Sequence, residues 1–115
     1  MALAFIRSGY IPATIQHAPA EHAATDEMIV GRIAQGDRLA MHTLFARHQT
    51  RIYRFVLRLL NDEAAAEDVV SEVFLDVWRQ AGRFEGRSTV STWLLSMARF
   101  KAISAMRRRQ TEEPR

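Results

Sequence analysis

Apolar residues recur at every third or fourth position along three long stretches of the chain, which is the spacing of an amphipathic helix. These stretches are residues 37–60, residues 63–80 and a last stretch that ends near residue 109. A shorter helix is predicted to begin at Thr25, a residue type that caps helices, and to end at Gly36. No alternating strand pattern and no internal repeat is present. The sequence therefore predicts an all-α fold, a small helical bundle of three long helices plus a short N-terminal helix.

Capping residues and turn signals set the predicted boundaries. Asp37 is placed to cap the second helix, and Asp62, after a turn at Asn61, to cap the third. For the last helix the sequence offers three candidate caps, Ser88, Thr89 and Ser91. The predicted domain covers residues 25–110. Residues 1–24 contain a glycine, two prolines and no sustained period, and are interpreted as a mobile N-terminal extension, whereas residues 111–115 are interpreted as the start of a linker.

The apolar faces of the two central helices predict the core. On the second helix this face is formed by Met41, Leu44, Phe45, Ile52, Phe55, Val56 and Leu59. On the third helix it is formed by Ala66, Val69, Val70, Val73, Phe74 and Val77. His48 lies near the first of these faces and is interpreted as a hydrogen-bonded core histidine. The opposite face of the second helix is interpreted as a solvated stripe, with a binding role or pairing with the third helix as alternatives, and carries Arg47, Arg51, Arg54 and Arg58.

Composition bounds the class of protein. A chain of 115 residues with 48% hydrophobic and 25% charged residues fits one globular domain with a modest core. The absence of cysteine excludes disulfides and thiolate metal sites, and fits a reducing cytoplasm, which is the predicted location. No apolar run is long enough to cross a bilayer, so membrane insertion is not expected.

Charge is divided along the chain more sharply than the net value of +3 indicates. Residues 61–80 carry six carboxylates against one arginine, and residues 81–115 carry eight cations against three carboxylates. Such a division predicts two different partners, one basic and one polyanionic.

Known catalytic and metal-binding patterns are missing. His42 and His48 are six residues apart and cannot share a helix face, and no nucleophile elbow or glycine-rich phosphate loop is present. The carboxylates of the third helix fall mostly on one polar face, which is the usual pattern of a solvated surface. We expect no enzyme activity, no metal and no cofactor.

The segment from residue 84 to residue 109, FEGRSTVSTWLLSMARFKAISAMRRR, combines a glycine-containing loop, an aromatic-bearing helix and three final arginines. Aromatic rings and cations on one continuous segment are suited to holding unstacked bases against a phosphate backbone. This segment is the predicted nucleic-acid-binding region.

Four pieces of the chain, in order, resemble the second conserved region of the group-four, or extracytoplasmic function (ECF), bacterial sigma factors. They are the RIYRFVLRLL helix, the AEDVVSEVFLDVW helix, the F-x-G-x-S-x-x-x-T-W-L loop and helix start, and the closing A-x-x-x-x-M-R-R-R. The resemblance covers about residues 40–110. It implies a transcription-initiation domain that binds core RNA polymerase and recognises and melts the promoter minus-ten element.

The resemblance also implies where each partner binds. In this family the acidic helix docks on the coiled-coil clamp helices of the largest polymerase subunit, and the matching positions are Asp68, Ser71 and Glu72. Many members have glutamine at the position of Ser71. The alternative for the two carboxylates is a surface that serves solubility alone.

The loop and the last helix resemble the segment that binds the non-template strand. The pocket around a flipped base is implied to consist of Phe84, Gly86, Arg87 and Ser88. Trp93 matches a wedge or stacking aromatic, with a core tryptophan as the alternative. Contacts to phosphates are implied for Arg99, Lys101, Arg107, Arg108 and Arg109, although the last three can also be a basic helix end favoured by the helix dipole.

Two positions depart from the family pattern in the last helix. The usual asparagine, which touches base edges, is Phe100, and the usual aspartate is Ser104. A phenyl ring makes no hydrogen bond, so the promoter sequence cannot be transferred from relatives. Phe100 either faces DNA as a stacking surface or turns inward to complete the core beside Met97.

The resemblance carries two further expectations. Sigma factors of this group have a C-terminal helix-turn-helix domain, so we interpret the chain as a piece of a longer protein, and an anti-sigma factor is an expected partner. The alternative function is a sigma mimic that titrates an anti-sigma factor. Such a mimic would keep the acidic surface and lose the DNA-binding cations, which this chain retains.

Overall fold

Four α-helices make up the computed structural model, which describes residues 24–112. They are α1 (Asp26–Ala34), α2 (Arg38–Leu60), α3 (Glu63–Gln80) and α4 (Val90–Glu112), with a 3-10 turn, Ala81–Arg83, after α3. No strand occurs in this part of the chain, and the predicted all-α bundle is confirmed. The predicted N-terminal extension, apart from Ala24, and residues 113–115 of the predicted linker lie outside the described residues.

Each helix begins at a capping side chain. Thr25, Asp37, Asp62 and Thr89 each accept a hydrogen bond from the backbone N–H three residues later, at 3.0–3.2 Å. Each cap satisfies one of the N–H groups that the first helical turn leaves without a partner. The first three caps confirm the predicted starts, and Thr89 is the cap among the three candidates for the last helix.

Two reversals of the chain use left-handed backbone. Gly36, with φ +87°, separates α1 from α2, and Asn61, with φ 52°, closes α2 before Asp62 caps α3. Glycine and asparagine are the residues that adopt this region most easily. These turns let α2 pack against α1 and α3, and α2 also contacts α4.

The core lies where the four helices meet, and α1 contributes Ile29, Val30 and Ile33, each 2% exposed. All six predicted residues of α3 are buried, and Phe74 packs edge-to-face against Phe45 of α2 with ring centroids 5.1 Å apart. The second half of α2 differs from the prediction, because Phe55 is only partly buried, Leu59 is exposed and Leu60 is buried. The four buried positions of α4 fall one turn apart, at Val90, Leu94, Ala98 and Ala102. Two of them are alanines, which allow the backbone of α4 to approach its neighbours closely.

The predicted core histidine is confirmed. His48 is buried, and its Nε2 lies 2.8 Å from Oδ2 of Asp26 on α1. Arg47 donates to the other oxygen of the same carboxylate at 3.0 Å, and Arg51 donates to Oγ of Ser91 at 3.3 Å. Two residues of the arginine stripe therefore join α2 to α1 and to the start of α4, and the predicted alternative of pairing with α3 is wrong for these two.

The last helix is longer than predicted. It continues past Arg109 to Glu112, and the Thr111 hydroxyl donates to the carbonyl oxygen of Arg107 at 3.0 Å. The first two residues of the predicted linker are therefore helical. Among the described residues, none of the helices combines the length and the apolar character that crossing a membrane requires.

Candidate protein and nucleic-acid interfaces

The outer face of α3 presents the two predicted polymerase-binding carboxylates. Asp68 and Glu72 are both exposed and lie one helical turn apart, so they share one face. The buried residues Val69 and Val73 follow each of them directly and point into the core. The bundle thus fixes α3 with its apolar side inward and this pair of carboxylates outward, where a basic surface can meet them.

Ser71 does not join this face. Only 9% of its surface is exposed, and it belongs to the buried side of α3 together with Val70 and Phe74. One residue corresponds to about 100° of rotation around a helix axis, which turns Ser71 away from Glu72. The prediction that Ser71 contacts polymerase is therefore not supported by its position.

The carboxylates of α3 affect the pKa of Tyr53 on α2. Partial burial, and then the carboxylates of Glu63 and Glu67, raise the pKa of Tyr53 above its ordinary value. The carboxylates act because negative charge nearby disfavours the phenolate. The same negative potential is available to a cationic partner that approaches α3 from this side.

The loop before α4 begins with an aromatic pair. The rings of Phe84 and Trp93 lie 4.9 Å apart at 47°, and both side chains are half-buried against the core. Trp93 is thus neither fully buried nor free, since one part packs on the core and the rest is accessible. The pair anchors the loop to the first turn of α4 and leaves aromatic surface at the junction.

The other predicted loop residues are exposed. Gly86 has φ +74°, which confirms the positive φ considered for it, and Arg87 and Ser88 follow it at the surface. Arg87 Nε lies 3.2 Å from Glu85 Oε1, but both side chains are more than half exposed, so this pair contributes little. The structure therefore gathers the four predicted pocket residues on one loop, with the Arg87 guanidinium reaching into solvent.

Three predicted phosphate-binding cations of α4 are available at the surface. Arg99, Arg107 and Arg108 are exposed and have no ion-pair partner within residues 24–112. Phe100, beside Arg99, is 74% exposed. The alternative in which Phe100 turns inward to complete the core is therefore wrong.

The other two cations are held by α3. Lys101 Nζ lies 2.6 Å from Asp76 Oδ2, with only about a fifth of each side chain exposed (19% and 20%). Arg109 Nη2 lies 2.9 Å from Asp62 Oδ2, the carboxylate whose other oxygen caps α3. Two predicted phosphate contacts are thus paired within the domain. The Lys101 pair is mostly covered and ties α4 to α3, whereas the Arg109 pair, with 43% of each side chain exposed, contributes less.

Sequence reasoning missed Asp62 and Asp76 as partners of these cations. Each pair joins two helices across a long sequence separation, so no i, i+4 spacing reveals it. A sequence signal does exist. Asp76 is the last carboxylate of an acidic helix, and Lys101 lies between Ala98 and Ala102, two core positions of the next helix. That signal becomes specific only when the packing of α3 on α4 is known. Within the part of the chain that the structure describes, no cluster of three or more potential ligands could hold a metal ion.

Comparison with known proteins shows which family the chain belongs to. Residues 44–112 match the Sigma-70 region 2 family, a match that runs from α2 to the end of α4, and the chain belongs to that family. The resemblance to sigma factors read from the sequence is thereby confirmed.

Several proteins named as sigma factors are similar to the chain. The ECF RNA polymerase sigma factor SigK of Mycobacterium tuberculosis is 30% identical over 90 residues, covering 77% of this chain and 48% of the relative. The RNA polymerase sigma-H factor of Pseudomonas aeruginosa is 34% identical over 73 residues, covering 64% of this chain and 38% of the relative. SigK of Mycobacterium ulcerans is 32% identical over 88 residues, covering 76% and 47%. The chain spans about half of the length of the SigK proteins it matches, and 38% of the length of the sigma-H factor.

Proposed function

We propose that this chain is the region 2 domain of an ECF sigma factor. It binds core RNA polymerase through the acidic face of α3, on the coiled-coil clamp helices of the largest subunit. It recognises and melts the promoter minus-ten element by holding the non-template strand on the 84–89 loop and α4. The domain is a specificity subunit of transcription initiation and does not catalyse a reaction itself.

The observation that carries this proposal is the separation of charge between two packed helices. The exposed carboxylates of α3 offer a surface for a basic protein partner, and complementary potentials favour association and fix its register. The exposed cations and rings of the loop and α4 offer a surface for a polyanion with unstacked bases. A domain that bound only one of these partners would need only one of the surfaces.

Opening the promoter duplex costs free energy, and binding of the unpaired bases to the protein has to offset that cost. Unstacking and unpairing a base costs a few kcal/mol, and each stacked base returns about 1–3 kcal/mol on an aromatic surface. Phe84 and Trp93 supply such a surface at the start of α4, and Gly86 allows the loop backbone to lie close to a base. Capture of a small number of unpaired bases can therefore offset the cost of opening them.

The remaining partners and the location follow from the same assignment. Core polymerase and promoter DNA place the protein in the cytoplasm. An anti-sigma factor that covers one of the two surfaces is an expected regulator. The location and the anti-sigma factor are both inferred from the chain's membership of the family.

Binding of single-stranded DNA and its salt dependence test the nucleic-acid half of the proposal. We expect the full chain to bind a fluorescent single-stranded minus-ten oligonucleotide more tightly than its duplex. Replacing Arg107 and Arg108 with alanine is expected to flatten the slope of log K against log salt by roughly 1.4, at about 0.7 per phosphate contact. Fluorescence anisotropy over a salt series measures both quantities.

The matched control removes the same charge elsewhere. Arg32 and Arg38 are exposed on α1 and at the start of α2, and their double alanine variant is expected to keep the wild-type slope. An equal loss of slope in both variants would show a general charge effect, with no phosphate contact at the end of α4. Preference for duplex over single strand would contradict the proposed melting role.

A further inference from the structure

The most exposed large apolar side chain within residues 24–112 is Phe100, at 74%. Its ring lies on the outer side of α4, while Ala98 and Ala102 on the same helix are completely buried. An exposed phenyl ring gains nothing from the fold, since the hydrophobic contribution depends on removing apolar surface from water. A partner that covers the ring would therefore gain binding free energy without any rearrangement of the core.

The surroundings of the ring define the chemistry of that partner. From residue 90 to residue 111, α4 contains five cations and no carboxylate. Arg99 precedes Phe100 directly, and Arg107 lies two turns further along the helix; both are exposed. The half-buried Trp93 lies two turns earlier, seven residues away and about 10 Å along the helix axis. Aromatic surface between exposed guanidinium groups matches a ligand that alternates flat rings with phosphates.

We infer that Phe100 is a stacking platform for an unpaired nucleobase of single-stranded DNA. This inference rests on the proposed function and adds a specificity property to it. Because every base has a π-face, stacking tolerates base identity, whereas a side-chain amide discriminates through hydrogen bonds. The base on Phe100 is therefore bound with little sequence preference, and Arg99 and Arg107 hold the adjoining phosphates. An apolar protein segment does not explain why every charged residue of α4 from residue 90 to residue 111 is a cation.

The test compares variants that distinguish the effect of the aromatic π-system from the effect of apolar surface alone. Phe100→Leu keeps an apolar side chain without a π-system, and Phe100→Trp enlarges the π-system. With the full chain and fluorescent single-stranded homopolymers of thymine, cytosine and adenine, Phe100→Leu is expected to weaken binding to all three by similar factors. Alanine substitution of a stacked aromatic residue costs about 1–3 kcal/mol per base, and leucine keeps part of the van der Waals contact, so the expected factor is roughly 5-fold or more, the equivalent of about 1 kcal/mol. Phe100→Trp is expected to bind as tightly as the wild type or more tightly.

A matched control addresses general surface hydrophobicity. Leu39 is 53% exposed near the start of α2, and Leu39→Ala is expected to leave binding to each homopolymer unchanged. Thermal melts of every variant are expected to match the wild type, because Phe100 and Leu39 contribute little to the core.

Each contrary result overturns the inference in a recognisable way. Unchanged affinity of Phe100→Leu, beside normal wild-type binding, removes the stacking role and leaves the proposed function intact. A loss confined to one homopolymer shows recognition of a base edge. A loss of polymerase binding with DNA affinity unchanged shows that the ring contacts protein. Failure of the wild type to bind any single strand removes the DNA half of the proposed function as well.

Discussion

Reversing the charges of Asp68 and Glu72 to lysine is expected to abolish binding to core RNA polymerase while the domain stays folded. Both carboxylates are exposed on one face of α3, so their replacement leaves the core residues beside them in place. Two lysines facing a basic coiled coil replace attraction by repulsion, and like-charge contacts cost several kcal/mol. That penalty corresponds to a loss of affinity of more than about 100-fold. Co-purification of the chain with tagged core polymerase measures it.

A control with the same change in net charge separates the docking surface from a general effect. Glu27 and Glu112 are exposed on α1 and at the end of α4, and reversing both to lysine is expected to preserve polymerase binding. Helicity and thermal melts of both double variants should stay close to the wild type, within about 0.5 kcal/mol per substitution. Retained polymerase binding by a folded Asp68→Lys, Glu72→Lys variant would contradict the assignment of α3 as the docking helix.

Removing the Lys101 ammonium is expected to destabilise the domain. In Lys101→Met the carboxylate of Asp76 loses its closest cation while four fifths of its side chain stay covered. Leaving a charge unpaired in a fully buried site costs several kcal/mol. Asp76 is partly exposed, so we expect a smaller loss of about 1–3 kcal/mol in the free energy of unfolding. The free energy of unfolding from urea titration measures the loss. Replacing both partners, in Asp76→Leu with Lys101→Met, is expected to recover most of it, because no unpaired charge remains.

The same carboxylate provides the control. Arg79 Nη1 also faces Asp76, at 3.7 Å, but the Arg79 side chain is 64% exposed. Its pairing is screened by water, and Arg79→Ala is expected to cost less than about 0.5 kcal/mol. Equal effects of Lys101→Met and Arg79→Ala would show that the Lys101 pair does not hold α4 on α3.

Two ion pairs of unequal strength connect the proposed surfaces of α3 and α4. Asp76 and Asp62 on the acidic helix hold Lys101 and Arg109 on the cationic helix. A polymerase that fixes the position of α3 therefore also fixes the direction of α4 and its exposed arginines. Lys101, predicted as a phosphate contact, is instead paired with Asp76, and we expect it to position the helix that carries Arg99, Arg107 and Arg108.

Local features of the fold could be predicted because their causes are local. Thr25, Asp37 and Asp62 cap helices through hydrogen bonds to residues three positions away, and these starts are confirmed. The buried face of α3 follows from its own spacing of apolar residues. The apolar face of α2 also identified His48 as a core residue, although its partner, Asp26, lies on another helix.

The features that could not be predicted depend on how helices are placed against one another. Leu59 and Leu60 are adjacent and chemically identical, so only the packing of α2 decides which one is buried. The family resemblance implies a docking role for Ser71, yet the rotation of α3 turns this residue inward. Phe100 was compatible with the core and with the surface, and the burial of Ala98 and Ala102 on the same helix decides for the surface. The docking and DNA-contact roles themselves stay predictions.

Assembly of one complex from the chain, core RNA polymerase and single-stranded non-template DNA shows whether the domain holds both partners at once on separate surfaces. Because the proposed polymerase and DNA surfaces lie on different helices, both partners can bind at once. Size-exclusion chromatography with a fluorescent minus-ten oligonucleotide is predicted to give a single peak that contains all three components. With Asp68→Lys, Glu72→Lys the chain and the oligonucleotide should leave the polymerase peak together. Displacement of the oligonucleotide from the chain by wild-type core polymerase would contradict the account, because it would place both partners on the same surface.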